Sequence, residues 1–168
     1  EAASRAGIDT IEHGTYLDEA AANEMKKNGT VLIPTLMAFQ GVTERLGKGI
    51  YTPVVEEKIR AVAETARVFM GKAMRWGVPI AFGTDAGVFG HGRNAGEFAL
   101  MVAQGMGHRE AFATATTNAA KVLGMENEIG RIAPGYSADL IAIDGNPLED
   151  TATLENVGWV MVRGRVID

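Results

Sequence analysis

Apolar positions along the chain follow two textures. Ile8–His13 is a short β-prone stretch ending in polar residues and glycine, and two further stretches, Thr30–Phe39 and Val78–Phe82, are apolar almost throughout. Runs of this kind read as parallel strands buried on both faces. Between them the spacing becomes helical. Leu17–Asn28 carries Leu17, Ala20, Ala21 and Met25 on one face and stops at Gly29. Thr52-Pro53 begins a helix running to Trp76, with Thr52 as hydroxyl N-cap and Val55, Ile59, Val62, Ala66, Phe69 and Ala73 inward. Further helices are predicted over Ala95–Gln104 and Arg109–Leu123, the latter with Phe112, Ala115, Ala119, Val122 and Leu123 inward. Pro34 is awkward inside a central strand, so a bulge or an end to the pairing is expected there. Residues 40–51 read as a glycine-rich, mobile connection. The order β-α-β-α-β-α-α implies a parallel sheet with right-handed crossovers.

The texture changes after Gly124. Residues 129–136 are turn-rich, and Ala138–Asp144, Trp159–Val162 and Arg165–Ile167 are short strands. They predict a separate small antiparallel sheet, so the chain divides into 1–125 and 126–168. Glu1–Gly7 reads as the last turns of a helix stopped by Gly7. A helix without a beginning suggests a piece of a longer protein.

Composition narrows the classes. The 168 residues carry a net charge of −5 with 46% hydrophobic positions, enough for a domain with a core. No basic cluster suggests nucleic acid. No apolar run approaches the roughly 20 residues of a membrane span, and a cytoplasmic location is expected. With no cysteine, a metal would be held by His and carboxylate, which suits zinc or a harder divalent ion.

Candidate chemistry sits at the strand ends. Asp85 follows the third apolar stretch in Gly83-Thr84-Asp85-Ala86-Gly87, and His13 closes the first in Glu12-His13-Gly14. The carboxyl edge of a parallel sheet is where α/β proteins place their sites. Alone, Asp85 reads equally as a turn or capping residue, and His13 as a structural histidine. Together they make a plausible metal or acid/base pair. Glu12 points to the face opposite His13 and reads as structural.

Three motifs taken in order carry a resemblance. Ile11-Glu12-His13-Gly14, Gly83-Thr84-Asp85-Ala86-Gly87 and the run from Gly130 through Pro134-Gly135 to Ala138–Asp144 resemble the C-terminal part of the amidohydrolase superfamily. The likeness is nearest its imidazolonepropionase-like and prolidase-like (Xaa-Pro dipeptidase) branch. The resemblance implies an α/β fold: strands 6–8 of a (β/α)8 TIM-type barrel over 1–125, and the C-terminal strands of a small β-sandwich over 126–168. It implies one or two divalent metals, zinc best suited, held by a His-x-His pair, a carboxylated lysine and further histidines. His13 matches the strand 6 ligand and Asp85 the strand 8 ligand; the others have no counterpart here.

A barrel of this kind takes about 250 residues, so closure is expected through self-association or the missing N-terminal half. The implied mechanism has Asp85 as general base and then general acid toward a water attacking an amide-type C–N bond. His13 holds the metal through one ring nitrogen. His91, in the loop after Asp85, is either a substrate contact or a surface residue. Arg93 could meet a substrate carboxylate but more commonly such a residue faces water. Asn94 and Glu97 are expected to cap the helix that follows, and His108 to cap or lie exposed. Dipeptides are the expected substrates. The alternatives are a cyclic amide hydrolase or deaminase, and a non-catalytic scaffold, against which the presence of both His13 and Asp85 argues. A phosphate loop at 83–92 lacks the necessary glycine and lysine pattern. With so few ligands, this stretch alone is expected to be inactive.

Overall fold

The structure is a computed structural model and describes residues 1–167. The first half runs α1 (Ala2–Arg5), β1 (Thr10–Glu12), α2 (Glu19–Asn28), β2 (Val31–Ile33), α3 (Leu36–Thr43), α4 (Pro53–Ala66) and α5 (Phe69–Arg75). Then come α6 (Gly96–Ala103), α7 (His108–Ala113), a π-helical turn over Thr114–Asn118 and α8 (Ala119–Val122). The chain ends with β3 (Leu140–Ile143), a 3-10 turn over Thr151–Glu155, β4 (Val157–Val162) and β5 (Arg165–Ile167). The fold is mixed α/β.

β1 and β2 pair in parallel, with Ile11 opposite Leu32. The third apolar stretch joins β2 through one parallel bridge, Leu32 to Ile80. Its two hydrogen bonds run from Leu32 N to the Pro79 carbonyl and from Ala81 N to the Leu32 carbonyl. The ladder stops there because the next donor on β2 would be Pro34, which has no N–H. The preceding one, Thr30 N, is spent on the Met25 carbonyl. On the far side, Phe82 N bonds the Thr114 carbonyl at 3.0 Å, and Asn118 Nδ2 bonds the Ile80 carbonyl at 3.0 Å. The irregular π-helical turn is thus where the helical layer ties to the third stretch.

Several expectations are corrected. Pairing does end at Pro34, but the run does not continue as a strand to Phe39. Thr35 turns into the left-handed region (φ 49°), and Leu36–Thr43 is helix α3. A wholly apolar run has no period with which to separate a strand from a buried helix. Part of the predicted 40–51 connection is therefore helical. The long helix of 53–76 is two helices, broken around Arg67-Val68. The break is satisfied by one side chain. Gln104 Nε2 donates to the Ala66 carbonyl, and Gln104 Oε1 accepts from the N–H groups of Met70 and Gly71. Pro53 opens α4 as expected, but the Thr52 hydroxyl makes no capping bond.

α2 begins at Asp18, which accepts from Ala21 N at 2.8 Å, and ends at left-handed Gly29. Its buried face is Ala22 and Met25 rather than Ala20, which is exposed. In the 109–123 region Ala111, Thr114 and Ala120 are buried, and Leu123 is 64% exposed. The π-helical turn shifts the helix phase, which a regular 3.6-residue pattern does not anticipate.

β3, β4 and β5 form the expected antiparallel sheet in that order, with β4 starting earlier than predicted. Asp139 Oδ1 accepts from Arg163 N at 2.8 Å and pins the β4–β5 turn. The 3-10 turn carries Leu154 into the core cluster that also holds Met25, Leu32, Phe69, Ile80, Phe98 and Met101. Beside it, His108 Nδ1 accepts from Thr151 N at 3.2 Å. His108 is therefore a tie between segments, neither a cap nor a free surface residue. No helix among the described residues is long and apolar enough to cross a membrane.

Candidate active site

His13 sits one residue beyond β1 and extends its ladder, donating its N–H to the Ile33 carbonyl at 2.9 Å. Its backbone is left-handed, φ 65°, a conformation non-glycine residues adopt only a few per cent of the time. Gly14 follows, also left-handed; a Cβ there would meet Leu32 Cδ1 at 2.5 Å. The chain thus turns sharply off the strand end and leaves the imidazole exposed.

The ring is fixed from one side. His13 Nδ1 lies 2.6 Å from Thr35 Oγ1, and that hydroxyl donates to the Pro34 carbonyl at 2.8 Å. With its proton spent there, the hydroxyl accepts from Nδ1–H. This tautomer leaves the lone pair of Nε2 free, the form in which imidazole ligates metals. Phe39 of α3 stands edge-on to the ring, centroids 6.0 Å apart.

Asp85 also has a left-handed backbone, φ 54°. Its side chain is exposed and takes no hydrogen bond from the described residues. The approach to it is crowded: a Cβ on Gly83 would come within 2.3 Å of Ile33 Cγ2. His13 and Asp85 both follow the carboxyl ends of stretches that run parallel to β2.

The loop carrying His91 is anchored to the α3 region. Phe89 is buried, and a Cβ on Gly41 would meet its Cβ at 2.9 Å. Arg45 donates to the Val88 carbonyl. Arg93 grips Glu44 with two bonds of 2.7 and 2.9 Å. Those bonds, with one from Gln40, hold the Glu44 carboxyl down at about 2. Arg93 is therefore committed to Glu44, neither free for a substrate nor simply solvated. His91 itself is exposed, as is Glu12.

Glu97 lies at the start of α6, yet it caps a different helix. It is fully buried, with Oε1 accepting from Leu36 N at 2.8 Å and Oε2 from Met37 N at 2.7 Å. Burial pushes its carboxyl up to about 7, against the opposing effect of the two N–H donors. Asn94 makes no side-chain capping bond; its carbonyl accepts from Glu97 N.

Among the described residues no three His, Asp or Glu side chains gather closely enough to hold a metal ion. Imidazole and carboxylate at one sheet edge are nevertheless a donor set suited to zinc or a harder divalent ion. They are fewer than the three protein ligands of a catalytic zinc.

The profile of the amidohydrolase family matches residues 1–167. The chain belongs to the amidohydrolase family. A solved Xaa-Pro dipeptidase with methionine bound in its active site superposes with a TM-score of 0.93 and 41% identity, over 99% of this chain and 41% of its own. The ochratoxinase of Aspergillus niger is 34% identical over 153 residues, 89% of this chain and 31% of the enzyme. The imidazolonepropionase of Shewanella oneidensis is 28% identical over 151 residues, 83% of this chain and 30% of the enzyme. The chain thus spans well under half the length of the relatives it matches.

Of this amidohydrolase chain, Thr35 and Gln104 were not singled out in the sequence, and Glu97 was expected only to cap its own helix. Thr35 hides within an apolar run. Gln104 reads as an ordinary helix end. Glu97 did leave a signal: it is the only charged side chain in the apolar helix Gly96–Ala103, and a lone carboxylate on a buried helix needs a partner.

Proposed function

We propose that this chain supplies part of the active site of a metal-dependent hydrolase cleaving amide-type C–N bonds, with dipeptides as substrates. The observation that carries the reading is His13, its tautomer set by Thr35 and its Nε2 open, at the same sheet edge as the unpaired carboxylate of Asp85. Likeness to an Xaa-Pro dipeptidase over nearly the whole chain supports the substrate class.

In this reading 1–125 is the strand 6–8 portion of a (β/α)8 barrel and 126–168 the C-terminal share of a small β-sandwich. Residues beyond this chain, or a second copy, complete the barrel. His13 Nε2 and Asp85 would hold the divalent ion, zinc by preference, with further ligands from outside this stretch. When bound, such an ion would supply Lewis acidity toward water and the scissile carbonyl. Asp85 accepts a proton from the attacking water at a carboxylate oxygen. It returns that proton to the leaving nitrogen as the C–N bond breaks, so one water is consumed and acid and amine are released. His91, in the loop clamped by Arg93 and Phe89, contacts the substrate.

A cyclic amide hydrolase is the second reading, favoured by the 28% identity to an imidazolonepropionase. The complete protein, assayed on Xaa-Pro dipeptides and on imidazolone-type rings with and without a chelator, separates the two. Chelator-sensitive turnover of the dipeptides supports the first reading; turnover confined to rings supports the second. Chelator-insensitive turnover contradicts both.

A further inference from the structure

A threonine before a helix ordinarily caps it, its hydroxyl accepting an N–H of the first turn. Thr35 stands at that position ahead of α3 and does not do so. Its backbone is left-handed, and its hydroxyl is turned to His13 Nδ1 and the Pro34 carbonyl. The first two N–H groups of α3, from Leu36 and Met37, are satisfied instead by the two carboxylate oxygens of Glu97, about sixty positions away in sequence. Leu36, Met37 and Glu97 are all buried. Water is therefore no substitute acceptor, and an unmet buried N–H is costly.

We infer that Glu97 is a positioning residue for the metal site: by capping α3 from α6, it releases the Thr35 hydroxyl to hold the His13 imidazole. The inference rests on the proposed role of His13 as a metal ligand. Its physical content is a competition. The Thr35 hydroxyl can serve the helix or the histidine, and the buried carboxylate settles it in favour of the histidine. Without Glu97, Thr35 is drawn back toward the bare N–H groups of α3, and the ring loses the partner that fixes its tautomer. Because α6 directly follows the loop that carries His91, the same carboxylate also joins that loop's far end to the helix beside His13.

The test uses the complete protein and zinc as probe, by competition with a chromophoric chelator. Glu97→Gln keeps the volume but gives up one acceptor. It is expected to raise the zinc dissociation constant about tenfold, in the range typical for groups that orient a ligand. Glu97→Asp, which keeps the charge on a shorter arm, is expected to fall between it and the wild type. The decisive comparison is made in a Thr35→Val background. There Glu97→Gln is expected to change zinc affinity no further, since the hydroxyl through which it acts is gone. A purely structural cap would lower the melting temperature in both backgrounds and leave zinc affinity unchanged in both; that result overturns the inference and leaves the reading of His13 standing. Independent, additive losses of affinity also overturn it. A wild-type protein that binds no zinc overturns the reading of the site and the positioning role with it.

Discussion

His13 Nδ1 and Thr35 Oγ1 meet at 2.6 Å, and both residues are held in left-handed backbone at the ends of paired strands. The contact binds the exit of β1 to the exit of β2. Since β-branched residues resist that conformation, the threonine's hydroxyl must matter more than its shape.

Replacing Thr35 by valine keeps the branch and removes the hydroxyl. The expected outcome is a folded protein whose zinc dissociation constant rises about 10–100-fold. Thr35→Ser is expected to stay near wild type. The check is chelator competition on the complete protein, with circular dichroism to confirm the fold.

Asp85→Asn tests the proposed proton-transfer role, with zinc affinity measured alongside because Asp85 is also a proposed ligand. Asparagine accepts left-handed backbone as readily as aspartate, so φ 54° is preserved. Loss of the general base is expected to lower kcat by about 10²–10⁴-fold with a smaller change in KM. Steady-state kinetics on an Xaa-Pro dipeptide reads it.

The approach of the third stretch to β2 at Gly83 yields a stability prediction. Gly83→Ala places a Cβ 2.3 Å from Ile33 Cγ2. Overpacking of this kind costs about 1–3 kcal/mol. Combining it with Ile33→Ala, which removes the clashing methyl, is expected to be less destabilising than the sum of the single changes. Urea denaturation of the four proteins measures the coupling.

Glu97 sets a pH dependence. Its folded carboxyl stands at about 7 against an ordinary 4.5. Between those values the folded state holds a proton that the unfolded state has lost, so stability falls as pH rises from about 4.5 to about 7. The contribution is of the order of 3 kcal/mol. Glu97→Gln is expected to flatten that portion of the stability curve. Glu44 acts in the opposite sense: its carboxyl is depressed to about 2, so its stabilisation is present above about 4.5 and fades as pH falls toward 2. That pair is exposed, so solvent screening keeps its share small.

β1 and β2 were legible as short β-prone stretches, and His13 and Asp85 stood out because each follows the end of such a stretch. Val78–Phe82 joins β2 through a single bridge rather than a full strand. α3 was not legible. Its first residues, Leu36–Phe39, continue an apolar run that carries no period, and the carboxylate that caps it is remote in sequence. The split between α4 and α5 was hidden for the same reason: the side chain satisfying it, Gln104, comes from α6. What the local pattern could not supply was the set of polar groups reaching across from another element, and those are the groups that shape the candidate site.

The most direct test is the metal content of the complete protein carrying His13→Asn, a change that keeps the left-handed backbone and removes the ring. The account predicts at least one tightly held divalent ion per chain in the wild type, and joint loss of bound metal and dipeptide hydrolysis in the variant. A variant that retains both at wild-type levels would contradict it.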